Sequence, residues 1–111
     1  MNRAEFKALE PKERIMLLAE KALGLDVDRQ KERLNIVMRG GNKGFAPLPE
    51  YSDFHKQIRE KMEADGIAVS ARKLPRSTLS IVTAKKDDRI VESPVMPENS
   101  GVLYCALEFY P

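Results

Sequence analysis

The chain has 111 residues, 42% of them hydrophobic and 32% charged, with both signs interspersed and a net charge of +2. That length suits one domain, 1–111, built on one core. The longest apolar run near the N-terminus, Ile15 to Ala19, is far short of the ~20 residues that a membrane helix needs, so no membrane partner is expected.

One cysteine allows no internal disulfide, which points to a reducing, cytoplasmic setting. Met1 to Glu10 carries Arg3, Glu5, Lys7 and Glu10 and does not read as a signal peptide.

Asn2 to Leu9 is predicted as a short helix with Phe6 and Leu9 on one side. Pro11 suits the first turn of a second helix, where its missing amide costs nothing. Ile15, Leu18, Ala19 and Ala22 then share one helical face. Met16, Leu17 and Leu23 widen that face, so this helix is expected to be the most buried. Gly24 ends it. Asp26 or Asp28 can cap a third helix running to about Met38. Leu34, Ile36, Val37 and Met38 lie close together and suit a helix end or a short strand equally. Arg39 to Glu50 reads as a loop, with Gly-Gly-Asn-Lys-Gly followed by Phe45, Pro47 and Pro49.

The central stretch, Ser52 to Ala84, reads as helix, strand, corner, strand. Ser52 or Asp53 can cap the helix. Phe54, Ile58 and Met62 recur every four residues and share a face. Gly66 stands where a left-handed cap is wanted, and Ile67 can pack back on Met62. The period then changes to two: Ile67, Val69 and Ala71, and later Leu79, Ile81 and Thr83. Pro75 cannot donate to a ladder and marks the corner.

Lys85 to Asp88 reads as a turn and Arg89 to Ser93 as a short strand that Pro94 stops. Pro97, Asn99 and Gly101 suggest a loop. Val102 to Tyr110 is predicted as the longest strand, with Leu103, Cys105, Leu107 and Phe109 on one face and Val102, Tyr104, Ala106, Glu108 and Tyr110 on the other. Two apolar faces place it well inside a sheet. The expected class is α+β, with N-terminal helices packed on one face of a mainly antiparallel sheet of about four strands.

Few residues carry catalytic chemistry. His55 is the single histidine and reads as a helix-surface residue beside Phe54 rather than a general base. One His and one Cys do not make the four-ligand set of a structural zinc site, so no metal or other cofactor is expected. Cys105, in an apolar strand, reads as a small core residue rather than a nucleophile. No Gly-x-Ser-x-Gly elbow is present. Arg39-Gly40-Gly41-Asn42-Lys43-Gly44 could bring backbone amides to a phosphate. It lacks the P-loop spacing, and its plainer reading is a helix C-cap followed by a flexible connection.

Charge is more informative. Arg29 to Lys43 holds Arg29, Lys31, Arg33, Arg39 and Lys43 against Glu32, net +4. Arg72 to Arg89 holds Arg72, Lys73, Arg76, Lys85, Lys86 and Arg89 against Asp87 and Asp88, also +4. That leaves −6 on the remainder of a chain whose total is +2. Two basic segments on an acidic body would attract a polyanion if the fold brings them together.

The leading reading is therefore a non-enzymatic binding protein. Its site for nucleic acid or another polyanion is expected at Arg39, Lys43, Arg72, Lys73, Arg76, Lys85, Lys86 and Arg89. In element order alone, Ser52 to Ala84 resembles the helix and wing of a winged-helix domain, without a helix-turn-helix signature upstream. A second reading is a protein-protein interaction module, such as a phage- or mobile-element-type inhibitor or adaptor of a host protein. Phe45, Tyr51, Tyr104 and Tyr110 would be its anchors. A third, a compact nuclease, would pair His55 with Glu92, Glu98 or Glu108.

Overall fold

The computed structural model describes all of residues 1–111. The α+β expectation holds: four helices accompany two antiparallel sheets of three and four strands. Asn2 caps α1 (Arg3–Ala8), its side chain accepting from the Glu5 amide at 2.9 Å. Pro11 opens α2 (Pro11–Lys21), which buries Ile15, Met16, Leu18 and Ala19.

The predicted third helix is absent. Asp26 to Met38 instead supplies β1 (Asp26–Asp28) and β2 (Arg33–Val37), and the expected loop contains β3 (Lys43–Pro47). The physical reason lies in Asp28 to Arg33, six consecutive polar residues that would leave a helix no apolar stripe to bury. As strands, the same residues sort by alternation. Val27, Leu34 and Ala46 pair on the face toward the core, while Val37 pairs with Lys43 near the tip.

α3 (Tyr51–Ala64) buries Phe54, Ile58 and Met62 completely, as their spacing predicts. Its cap differs from the expectation: Glu50, not Ser52 or Asp53, is the N-cap, and it works through its backbone carbonyl, which accepts from the Asp53 and Phe54 amides. Asp53 sits inside the first turn, where its charge suits the positive end of the helix. Gly66 has φ +82°. The Ile67 amide donates to the Met62 carbonyl at 2.8 Å and the Gly66 amide to Glu63 at 3.1 Å. That paired closure needs a left-handed residue between helix and strand.

β4 (Ala68–Lys73), β5 (Leu79–Lys86) and β6 (Arg89–Glu92) follow in sheet order, and the short β7 (Met96–Pro97) also pairs with β5. Ser80, Val82 and Ala84 point inward from β5.

The C-terminal stretch is the largest correction. Val102 to Tyr110 is not a strand. It belongs to α4 (Glu98–Phe109), in which Gly101 to Leu107 are buried without a break. A segment apolar on every side shows no helical stripe, so it reads like a buried strand, although it suits a helix enclosed all round. α4, not α2, is therefore the most buried helix. Gly101 allows its close approach to β5: a Cβ there would lie 2.6 Å from Val82 Cγ2.

α4 packs on β5 and on α3, and α3 packs on β4, so these helices rather than the N-terminal pair cover the four-stranded sheet. α2 packs on α3, α4 and β1, which attaches the three-stranded sheet. The molecule is elongated, 50 × 28 × 23 Å.

Candidate functional site

The residues with catalytic potential are not assembled. His55 is half-buried on α3, its Nδ1 without a hydrogen-bond partner. No hydrogen bond joins it to the carboxylates a nuclease would need. Glu98 pairs with Arg59 at 3.6 Å and Glu108 with the Met1 amino group at 2.7 Å, while Glu92 is exposed on β6. Cys105 is fully buried in α4, where its thiol donates to the Val82 carbonyl at 3.5 Å. Burial pushes that thiol up to about 12, so it stays protonated at neutral pH and is a poor nucleophile. It is the small core residue expected, but on a helix rather than a strand. No three His, Cys, Asp or Glu side chains converge as a metal-ligand group.

The eight cations singled out by charge are all exposed, and none takes part in any ion pair of the molecule. Of the other basic residues of the first segment, Lys31 is likewise exposed and outside any ion pair, whereas Arg29 and Arg33 differ. Arg29 bridges Glu13 at 2.6 Å and also Glu20, and both carboxylates raise its pKa. Arg33 lies 3.8 Å from Asp28 and 3.4 Å over the Phe45 ring.

The eight fall into three groups. Arg39 and Lys43 flank the β2–β3 turn, where Gly40 and Gly41 have φ +86° and +83°. The Met38 amide donates to the Asn42 carbonyl at 2.6 Å. This stretch is thus a hairpin turn, not a helix cap, because strands rather than a helix precede it. Arg72, Lys73 and Arg76 cluster around the β4–β5 corner, with Arg76 itself in the left-handed region at φ +55°. Lys85, Lys86 and Arg89 sit at the other end of that sheet, where Lys86 pairs with Arg89. Lys73 pairs with Ser80 and Ala68 with Lys85, so five residues of β5, about 17 Å, separate the two ends.

Two members of the last group also serve the fold. Arg89 donates to the Glu108 carbonyl and lies 4.6 Å over the Phe109 ring. Lys86 reaches toward Gly66 and Asp65. Both therefore stand at helix C-termini, where a cation complements the helix dipole. The Asp65 carboxyl is held below its ordinary range, first by the hydrogen bond from Tyr110, then by Lys61, with Lys86 contributing.

Of the four aromatic anchors, Tyr104 is buried and donates to the Met1 carbonyl at 2.8 Å. Tyr51 is half-buried and accepts from Arg14 at 2.8 Å. Tyr110 is half-buried against Asp65. Only Phe45 is exposed, at 58%, and it belongs to a group that residue-by-residue reading missed. Ile36, Val37 and Met38 are 37%, 77% and 48% exposed on the same hairpin. The available signal was two alternating runs joined by a glycine-containing turn. A shallow groove of 310 Å³ lies beside Asn35, Val37, Lys43 and Phe45.

No protein-family model, curated protein or solved structure matches this chain.

Proposed function

We propose that this protein binds nucleic acid or a similar polyanion, without strong sequence preference and without catalysing a reaction on it. The observation that supports this is the set of eight exposed cations, free of ion pairs, while eight acids elsewhere, Glu13, Glu20, Asp28, Glu32, Glu63, Asp65, Glu98 and Glu108, pair with other basic groups. Unpaired cations keep their full charge for phosphates, and each phosphate contact releases condensed counterions. The test is a titration against a mixed-sequence DNA duplex and its single strands over a salt series. Log K should fall with log salt at about −0.9 per contact on the duplex. Absence of binding at ~50 mM salt, where screening is still weak, would end this reading.

A second reading is favoured by the exposed apolar hairpin: a protein partner, inhibited or bridged, that pairs with the free edge of β3. An unpaired edge strand is a template for strand addition. A pull-down from host lysate would yield one dominant partner, lost when Phe45 and Val37 are replaced by Ser.

A further inference from the structure

We infer that the β2–β3 hairpin is an arm that enters the major groove of duplex DNA, its cations on the flanking phosphates and its apolar tip against base edges. This rests on the polyanion reading and names the ligand and the element that meets it. Residues 33–47 contain Arg33, Arg39 and Lys43 and no acid, so the arm complements a dense negative charge. The three nearby acids are occupied: Glu32 pairs with Lys12 at 2.7 Å, Asp28 faces Arg33, and Asp26 accepts from Asn35 at 3.3 Å.

The dimensions suit that groove. Leu34 is buried and Ala46 half-buried, while Ile36 and the turn beyond it stand in solvent. β1 pairs with β2 only as far as Asn35, so the two-stranded part runs from the Asn35–Phe45 pair to the Val37–Lys43 pair, two residues, about 7 Å, before the turn adds its own reach. Two strands about 4.8 Å apart, with side chains, make a ribbon roughly 10 Å across. The B-DNA major groove is about 12 Å wide and 8.5 Å deep, whereas the minor groove is about 6 Å wide. The major groove of an RNA duplex is too narrow for side chains to read, so DNA is the better match.

The tip chemistry points the same way. A surface meant for phosphates alone needs only cations. Here Val37, the last residue of β2, and Met38 after it are exposed next to Arg39, and an apolar side chain in the major groove can contact the thymine methyl group. Gly40 and Gly41 have nothing within 4 Å of where a Cβ would stand, so the turn is narrow and unobstructed.

The test is fluorescence anisotropy with a short mixed-sequence DNA duplex, with each variant's fold checked by circular dichroism. R39A/K43A should make the salt slope shallower by about 1.8, two contacts at 0.9 each. V37S/M38S should weaken binding about tenfold, from lost apolar burial, while leaving the slope unchanged. Methyl green, a major-groove ligand, should compete; netropsin, a minor-groove ligand, should not. If R39A/K43A keeps the wild-type slope while R72A/K73A/R76A makes it shallower, the arm is not the contact, although the polyanion reading survives. Competition by netropsin alone overturns the groove assignment. No binding by the unaltered protein at ~50 mM salt overturns both.

Discussion

Gly101→Ala tests the packing on which the whole body depends. Gly101 lies in the first turns of α4, the helix that packs on β5. An added Cβ would stand 2.6 Å from Val82 Cγ2, 3.1 Å from Val82 Cβ and 3.1 Å from Ser93 Oγ. Val82 is fully buried and stiff at χ1, so it cannot swing aside. Ser93 is held too, since its hydroxyl accepts from the Val82 amide at 2.9 Å. Overpacking of this kind costs about 1–3 kcal/mol, against about 1 kcal/mol by which alanine favours a helix over glycine. A net loss near 1 kcal/mol would lower Tm by roughly 5 °C in a domain of this size. The assay is thermal and urea unfolding of G101A, V82A and the double variant. V82A alone should destabilise by about 1–3 kcal/mol through its cavity. In the double variant the new methyl group occupies that space, so the two effects should fall short of additivity by about 1 kcal/mol. If G101A is as stable as the unaltered protein, or if the effects add, the close α4–β5 approach is not as described.

Met62→Asp should leave the protein unfolded at room temperature, because it places an unpaired charge at a fully buried position; a native circular dichroism spectrum would contradict this. Arg76→Gly should keep or raise Tm, since glycine relieves a left-handed residue at φ +55° at a gain of about 1 kcal/mol. The same change should make the salt slope of duplex binding shallower by about 0.9, separating fold from function in one variant. Asp65 is held low by Tyr110 and Lys61, so its ionised form is preferred in the folded state. That contribution is present above the unfolded carboxyl pKa of about 3.9 and is lost as pH falls through the lower folded value. Asp65→Asn should flatten the acid limb of a stability–pH profile, and an unchanged limb would refute the link.

Some of this molecule was readable from local patterns because the physics there is local. The Phe54, Ile58, Met62 spacing, the Gly66 stop and the change to period two at Ile67 needed only neighbours in sequence to act. So did the turn at Pro75 and the start of α2 at Pro11. The polar run from Asp28 to Arg33 also argued against a helix, but the capping signals at Asp26 and Asp28 obscured it. The exposed cations were identifiable from charge alone, since exposure is the ordinary state of Lys and Arg.

Tertiary structure decided the rest. Residues 101–107 are helical because α2, α3 and β5 surround them, and a segment buried on all sides carries no period to distinguish strand from helix. The placement of the two basic segments on separate sheets came from long-range pairing, β2 with β3 and β4 with β5. The free arm is likewise a property of the whole: Ile36, Val37, Met38 and Phe45 look like core in the sequence, and they are exposed because only the root of their hairpin reaches the body. Burial depends on what packs against a side chain, and no residue's own chemistry specifies that.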